Sequence, residues 1–338
     1  METFQIADNI IEDDDVTFIS EYLLKKSQGN ALYLSYILRQ LRNIDVNKGV
    51  IDEIPDYDIS LSKYYSYLYT KVHNNRTVNA LCGADFYLSI DNLLEITGDG
   101  EFVEQDISVL HPLLIENMLS GGFSIYHESF RRFVLSLLRD KNVDLVRNVY
   151  GLLADWLQNK PFFEFDKAYY YLPELLYKIR KDDDNIALIE KEFVLKSVEE
   201  GYSRKRIRMN LNCMIRSAGR TKNLVALVTA GELLAMLDDL NEFESTGEEY
   251  FQAICDIKGA YKLNQLMQID GKPTFDKNIG KLACYISSKA GTTPWWELYL
   301  DTEAKQFEME DFKYYFRYYL DNQGVSIIPK LMESIEKN

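Results

Sequence analysis

Residues 117–126 have the sequence NMLSGGFSIY, in which Gly121 and Gly122 separate two short apolar runs. A glycine pair between alternating apolar residues predicts a β-hairpin, because glycine adopts the positive φ angles that tight hairpin turns require. His127 follows directly, and apolar side chains then recur at helical spacing: Phe130, Phe133, Val134, Leu137 and Leu138. The sequence therefore predicts a hairpin with an amphipathic helix immediately behind it.

Three short helical patterns precede the hairpin, over residues 77–87, 91–97 and 104–116. Three helices followed by a two-stranded ribbon is the element order of a winged helix, which we assign to residues 77–140. The third of these helices holds several acidic residues, Asp106 among them, and no lysine or arginine. Because such a helix would repel phosphate groups, we do not expect this domain to bind DNA.

The N-terminal segment predicts two helices joined by a tight turn. The helix over residues 14–26 ends at Gly29, and Asn30 begins a second helix. Glycine commonly ends a helix, and asparagine commonly caps one. We assign residues 1–47 to a helical lid and residues 48–76 to a linker with one further helix.

From residue 142 onward, helical patterns alternate with short polar turns. The breaks recur at roughly 20 to 30 residues, which is the spacing of stacked helical hairpins, although no clean repeat signature accompanies them. We therefore expect residues 141–338 to form an α-helical, TPR-like solenoid that contains helices only. The fold class predicted for the whole chain is mainly α.

The chain of 338 residues has a formal net charge of −15 and an apolar content of 46 %. This composition supports packed cores and excludes a generally basic nucleic-acid binder. No apolar run approaches the ~18 residues that a membrane span needs, and the acidic N-terminus does not resemble a targeting signal. The cysteines are widely spaced and histidines are few, so we expect reduced thiols, no metal site and a cytoplasmic protein.

Three segments, taken in order, resemble the STAND class of signalling NTPases, which includes the NACHT and NB-ARC types. Residues 27–41, SQGNALYLSYILRQL, resemble the lid turn and helix of that class. Residues 126–138, YHESFRRFVLSLL, resemble the end of its winged helix, where a histidine and an acidic residue begin a helix. Residues 168–176, AYYYLPELL, resemble the stretch that opens the following helical region. The resemblance covers roughly residues 1–180.

The resemblance implies cofactor-binding roles for His127, Gly29, Asn30 and Ala31. In this class the histidine reaches the β-phosphate of ADP and latches the inactive state, and the lid turn packs near the adenine. Ala31 stands where the class usually has proline, which keeps the shape of the turn and loses its stiffness. Each assignment has a structural alternative: His127 as a capping or core histidine, and the Gly29–Asn30 pair as ordinary helix caps.

The chain departs from the class in one respect that decides its chemistry. It contains no Gly-x-x-x-x-Gly-Lys-Ser/Thr loop and no apolar strand that ends in paired acids. We therefore expect no catalytic residue, no metal ligand and no ATPase activity from this chain alone. ATP or ADP with Mg²⁺ would bind only together with an NTPase core encoded upstream. The chain would then be a fragment of a larger ATPase, a split-gene product or a degenerate relative.

Two clusters are candidates for partner binding. The first is a basic stretch in an acidic chain, with a solvated helix face as its alternative: Arg204, Lys205, Arg206 and Arg208. An acidic or phosphate-rich partner would suit these charges. The second candidate is the pair Trp295 and Trp296, for which core packing is the alternative.

Two functions remain open. In the first, the chain is the regulatory and ligand-sensing part of a STAND NTPase of the bacterial antiviral type. Its lid and winged helix clamp nucleotide, its helical region recognises a protein trigger, and activation leads to homo-oligomerisation. In the second, the chain is a non-enzymatic helical scaffold for protein–protein interaction. A Walker-type loop encoded immediately upstream of Met1 would discriminate between them.

Overall fold

The computed structural model describes residues 13–42, 48–98, 100, 102–117, 121–141, 144, 146–239, 247–301 and 311–323. The chain is mainly α-helical, as its apolar periodicity predicts. It divides into two compact units, Met1–Trp156 and Leu157–Asn338. This division lies later in the chain than the boundary after residue 140 that the sequence predicts. Within the described ranges, no helix combines the length and apolar character needed to cross a membrane.

The first unit consists of helices and one small sheet. Its helices are α1 Asp13–Ser27, α2 Ala31–Leu41, α3 Lys48–Glu53, α4 Ser62–Lys71, α5 Asn75–Gly83, α6 Ile90–Thr97, α7 Val103–Leu110 and α8 Glu128–Asp140. Its strands are β1 Leu88–Ser89, β2 Leu114–Asn117 and β3 Gly122–Ile125. Helix α9, Gly151–Gln158, spans the division between the units.

The strands form an antiparallel sheet in the order β1-β3-β2. The predicted hairpin is confirmed, because Asn117 pairs with Gly122 and Gly121 has a φ of 59°. The N–H of Gly121 donates to Asn117 O at 2.8 Å, in the left-handed conformation that favours glycine. Strand β1 was not predicted. It pairs Leu88 with Phe123 and is too short to leave an alternating pattern in the sequence.

The predicted helix over residues 104–116 is wrong in its extent. Helix α7 ends at Leu110, because Pro112 lies in a following 3₁₀ turn and cannot donate a backbone hydrogen bond. Glu116 therefore lies on β2 rather than on a helix. Asp106 does not contribute to the acidic character that was expected to repel phosphate, since this residue is fully buried.

Over its described residues, the second unit is helical apart from one short hairpin. Its helices are α10 Asp166–Lys178, α11 Asp182–Ala187, α12 Phe193–Glu199, α13 Arg204–Thr221, α14 Leu224–Asp239, α15 Gly247–Lys258, α16 Ala260–Leu266, α17 Lys277–Lys289 and α18 Phe312–Gln323. The hairpin pairs β4 Gln268–Ile269 with β5 Lys272–Pro273. This hairpin shows that the expectation of helices only in residues 141–338 is wrong. Its turn residues, Asp270 and Gly271, have φ values of 52° and 74°, as a tight hairpin turn requires.

Two apolar clusters hold the second unit together. The first joins α10, α12, α13 and α14 around Tyr169, Phe193 and Leu211. The second joins α15, α16, α17 and α18 around Phe251, Cys284 and Trp296. Helix α13 contacts α10, α11 and α14, so it is the central helix of the first cluster.

Candidate functional site

His127 lies at the junction between β3 and α8, as the sequence predicts. It is the N-cap residue of α8, and its imidazole Nδ1 accepts a hydrogen bond from Ser129 N at 3.4 Å. The same Nδ1 lies 2.6 Å from the Ser129 hydroxyl. The capping alternative is therefore what this structure shows directly, and the side chain remains half-buried at the start of the helix.

A hydrogen-bond chain fixes the tautomer of His127. The Ser129 backbone N–H can only donate, so the imidazole Nδ1 is the acceptor and the proton of the neutral ring resides on Nε2. The Ser129 hydroxyl then donates to Nδ1 and accepts from the Tyr65 hydroxyl, which lies 2.6 Å away. Among the described residues we find no hydrogen-bond partner for Nε2. His127 thus presents an N–H donor at the N-terminus of a thirteen-residue helix.

The electrostatics at this helix start suit an anion. The N-terminus of α8 carries a partial positive charge from its unpaired backbone N–H groups. The neighbouring acid, Glu128, lies 3.7 Å from the Arg131 guanidinium, which also binds Asp85 at 2.8 Å. The negative charge of Glu128 is therefore partly balanced by Arg131.

The lid turn adopts the predicted geometry. Gly29 has a φ of 74°, and Asn30 Oδ1 accepts from Tyr33 N at 2.9 Å, so the predicted glycine end and asparagine cap are confirmed. Ala31 is the first residue of α2. Gly29 and Ala31 are exposed and Asn30 is half-buried, which leaves this turn accessible from solvent.

Buried tyrosines connect the lid turn with His127. Asn30 Nδ2 donates to the Tyr57 hydroxyl at 3.0 Å, and the Tyr57 ring lies 5.7 Å from the Tyr33 ring. Tyr33 contacts Tyr64 edge-to-face at 5.1 Å, and Tyr64 lies 6.5 Å from Tyr65. Tyr65 then reaches Ser129 beside His127. The structure thus links, through one aromatic cluster, two segments that the sequence suggested as nucleotide-facing.

Burial favours the protonated form of three hydroxyls in this cluster. It raises the pKa of Tyr33, whose phenol also faces the negative charges of Asp56 and Asp58. It raises the pKa of Tyr36 and of Tyr64 for the same main reason. Protonated hydroxyls can donate as well as accept, so the tyrosine chain can keep its hydrogen bonds across the physiological pH range.

The basic stretch divides into two parts. Arg204 and Arg208 share one helix face and both bind the Asp238 carboxylate, the former at 3.0 Å. Their hydrogen bonds hold the pKa of Asp238 below its usual range. Lys205 lies 4.0 Å from Asp276. Arg206 instead lies 4.7 Å from the centre of the Tyr170 ring, which packs against the first apolar cluster of the second unit, so it does not belong to the same surface.

Both tryptophans pack in the second apolar cluster of the second unit. Trp296 is buried, and its indole N–H donates to Asp321 Oδ2 at 3.1 Å. Trp295 is half-buried and donates to Asn264 O at 3.2 Å. The interpretation of Trp296 as an exposed partner contact is therefore corrected to core packing.

Sequence reasoning missed Ser129 and Tyr65 as members of the site. Ser129 could have been suspected, because a hydroxyl two residues after a capping histidine lies within reach of its ring. Nothing in the sequence identified Tyr65, which is 64 residues away along the chain from Ser129. In the described part of the chain, no group of three or more His, Cys, Asp or Glu residues could hold a metal ion.

Comparison of this chain with protein-family models, with curated proteins and with solved structures finds no match. Function is therefore inferred from the residues and geometry of the chain itself.

Proposed function

We propose that this chain is the regulatory and ligand-sensing portion of a STAND NTPase that acts in antiviral defence or signalling. The observation that carries the proposal is the Tyr65–Ser129–His127 chain, which leaves the His127 Nε2–H as a donor at the start of α8. A phosphate oxygen is a suitable acceptor for this donor. ATP or ADP, with Mg²⁺, would be held mainly by an NTPase core encoded upstream.

The order of elements in the first unit supports this proposal. The sequence α5–β1–α6–α7–β2–β3, with an antiparallel β1-β3-β2 sheet, is the order expected of a winged helix. Helix α8 and the candidate latch histidine follow directly behind the second hairpin strand. In the proposed arrangement the winged helix presents His127 to the nucleotide held by the core.

The tyrosine cluster supplies a physical route from the lid to the latch. Moving the lid turn would disturb the Asn30–Tyr57 hydrogen bond and the aromatic contacts behind it. Such a disturbance would reach Tyr65 and then the hydrogen bond that fixes the His127 tautomer. The helical second unit, as a TPR-like solenoid, would receive a protein trigger and favour the open, oligomerising state.

The test compares two substitutions of His127 in the intact parent protein. His127→Ala removes the cap and the donor, whereas His127→Asn keeps a good helix cap and removes the Nε2 donor. Loss of one charge-assisted hydrogen bond, worth about 1.5–3 kcal/mol, should shift the closed–open equilibrium about 10- to 150-fold toward the open state. Both variants should therefore signal or oligomerise without a trigger.

A purely structural histidine gives a different result. His127→Asn would then behave as wild type, and His127→Ala would only lower the melting temperature. The isolated chain should release no phosphate from ATP in either case, because it lacks the phosphate loop and the magnesium carboxylates. Steady Mg²⁺-dependent hydrolysis that a substitution within this chain abolishes would contradict the proposal.

A scaffold is the second candidate, and one surface favours it. On α14, Leu224, Val225 and Val228 are 73, 78 and 62 % exposed, which is unusual for three neighbouring aliphatic side chains. An intact parent protein that purifies without bound ADP, and is unaffected by His127→Asn, would favour this function over nucleotide-controlled signalling.

A further inference from the structure

The second unit contains a cavity of about 500 Å³ that the proposed function does not use. It lies among the end of α12, the start of α13, the end of α14, the start of α15 and one face of α17. This volume falls in the range of about 300–1,000 Å³ that is typical of small-molecule sites. Its size therefore fits a small ligand rather than a folded partner.

One wall of the cavity is apolar and contains both aliphatic and aromatic side chains. Phe251 and Leu237 are buried core residues, and Phe275, Ile279 and Leu282 are only partly buried where they line the space. Transfer of an apolar ligand onto such a wall is favourable because it removes both surfaces from water. The wall therefore selects a ligand with a hydrocarbon or aromatic body.

The opposite edge of the cavity is cationic. It is formed by the first residues of α13, where Arg204, Lys205 and Arg208 all line the space. Two carboxylates among the described residues pair with these cations: Asp238 binds Arg204 and Arg208, and Asp276 lies near Lys205.

These ion pairs are exposed enough to exchange partners. The side chains of Lys205 and Asp276 are 74 and 73 % exposed and lie 4.0 Å apart. Exposed pairs of this kind contribute little free energy, so a ligand anion can replace Asp276 at small cost. The N-terminus of α13, which Ser203 caps through Arg206 N, adds a partial positive charge at the same edge.

We propose that this cavity binds a small amphiphile with an apolar body and an anionic head group, either a carboxylate or a phosphate. The body lies against Phe251, Phe275 and Leu282, and the head group pairs with Lys205 and Arg208. The site goes beyond the proposed nucleotide-controlled function, and the residues that line it all belong to the second unit. Its test needs no NTPase core, so failure here leaves the His127 proposal standing, and the reverse also holds.

The experiment uses four ten-carbon probes with different head groups: decanoate, decyl phosphate, decanol and decyltrimethylammonium. Binding to the full chain is measured by isothermal titration calorimetry below the critical micelle concentration. We expect saturable one-to-one binding of at least one anionic probe, at least tenfold tighter than decanol, and no binding of the cationic probe. Comparison of the affinities for decanoate and decyl phosphate identifies the head group that the site prefers.

Two variants locate the binding in this cavity. The double variant Lys205→Gln, Arg208→Gln should weaken binding of the anionic probe by about tenfold or more, because charge-assisted hydrogen bonds are lost. Its affinity for decanol should be unchanged. Leu282→Trp should lower the affinity for every probe that binds, because the larger side chain fills the apolar part of the cavity. Arg216→Gln is the matched control, because Arg216 is exposed on the same helix but lies over Tyr177 outside the cavity, and should change nothing.

Thermal melting and circular dichroism establish that each variant is folded. If Leu282→Trp does not fold, the charge variants and the four probes still decide the question. The proposal would be overturned if the anionic and cationic probes bound with equal affinity. It would also be overturned if the double variant Lys205→Gln, Arg208→Gln bound the anionic probe as tightly as the unsubstituted chain. Absence of saturable binding by either anionic probe would also overturn it.

Discussion

One buried polar arrangement in each unit joins its elements in a different way. The first unit uses a buried carboxylate and tyrosine hydroxyls to join elements that are far apart in the sequence. The second unit uses neutral amides to complete the backbone of one interrupted helix. Removing a buried charge partner generally costs more than removing a neutral one. The difference predicts that removing the Asp106 carboxylate will be more damaging than removing the amide of Asn210 or Asn185.

In the first unit, the Asp106 carboxylate on α7 holds the start of α5. Its oxygens accept from His73 N at 2.7 Å and from Asn74 N at 3.0 Å, just before Asn75 begins the helix. The His73 ring also lies 3.3 Å from the carboxylate. One fully buried acid therefore accepts hydrogen bonds from two backbone donors at the start of α5.

In the second unit, Pro173 interrupts the hydrogen bonding of α10. A proline has no N–H, so the Tyr169 carbonyl, one turn earlier, lacks its usual intrahelical donor. Asn210 Nδ2 on α13 donates to that carbonyl at 2.8 Å. Asn185 Nδ2 donates to Pro173 O at 3.1 Å. The Asn210 side chain thus replaces the bond that the proline removes, while Asn185 binds the carbonyl of the proline itself.

The largest expected effect is the difference in alkylation rate between the buried cysteines and the partly buried one. Cys82 in the first unit and Cys213 and Cys284 in the second are buried, and burial raises the pKa of each thiol. Cys255 is only partly buried, and its thiol pKa is raised by burial and by Asp256. Because only the thiolate reacts, alkylation of Cys255 should be slower than that of a free thiol and should accelerate as the pH rises.

We expect iodoacetamide to modify Cys255 alone in the native protein. The buried thiols should react at least about a thousandfold more slowly, since their exposure requires unfolding at about 5–15 kcal/mol. Pulse labelling across a urea series, read by mass spectrometry, gives one transition for Cys82 and one for Cys213 and Cys284. Different midpoints would show that the units unfold independently. Rapid native labelling of Cys82 would contradict the buried core of the first unit.

The second prediction concerns Asp106. Asp106→Ala should lower the free energy of unfolding of the first unit by about 3 kcal/mol, because it removes a charged acceptor that binds two backbone N–H groups at the start of α5. Asp106→Asn keeps the shape and one acceptor oxygen, so its effect should be smaller. Hydrogen exchange followed by peptide analysis should show the loss of protection in α5 and α7. A change below about 1 kcal/mol for Asp106→Ala would remove the contrast between the units.

The sequence predicted the helical class, the hairpin and the turn at Gly29 because these depend on local signals. Glycine at positive φ and apolar spacing along a helix are properties of neighbouring residues. It did not predict β1, which has only two residues, or the acceptor role of Asp106, which depends on a loop more than 30 residues away. A buried acid and an exposed one look alike until the tertiary contacts are known.

The candidate site was predicted in the same uneven way. His127 and the Gly29–Asn30 turn could be singled out from local patterns and from a family resemblance. Their connection through Tyr57, Tyr33 and Tyr65 could not, because it depends on packing between helices. The basic stretch was visible as charge, but only the structure separates Arg206 from the cavity edge.

The third prediction tests the replacement of the missing helix bond in the second unit. Asn210→Ala should cost about 1–3 kcal/mol, because it leaves the buried Tyr169 carbonyl without a donor. In a Pro173→Ala background the restored N–H can serve that carbonyl, so the same substitution should cost at least about 1 kcal/mol less. Urea denaturation of the four proteins in the cycle gives this coupling energy.

A second cycle serves as the control. Asn185 bonds to the carbonyl of Pro173 rather than to the group that the proline leaves unpaired. The cost of Asn185→Ala should therefore be the same in both backgrounds, within about 0.5 kcal/mol. Equal coupling in the two cycles would mean that Pro173→Ala acts by general loosening of α10 and would contradict the specific role of Asn210.

The smallest expected effects lie at two helix ends, one in each unit. Helix α6 ends at Gly98 with a φ of 69°, and α13 ends at Lys222 with a φ of 57°. Both positions are exposed, and both are left-handed, but only the first has the residue type that adopts this conformation without steric cost. A left-handed conformation costs an L-residue about 1–2 kcal/mol, while glycine loses about 0.4–1 kcal/mol of additional chain entropy on folding.

Lys222→Gly should therefore stabilise the second unit by about 0.5 kcal/mol, and Gly98→Ala should destabilise the first by about 1 kcal/mol. Lys222→Ala separates conformation from charge, because it removes the lysine and keeps the strain, so it should give no gain. If Lys222→Gly and Lys222→Ala shift the urea midpoint equally, the conformational explanation is wrong and the effect comes from the lysine charge.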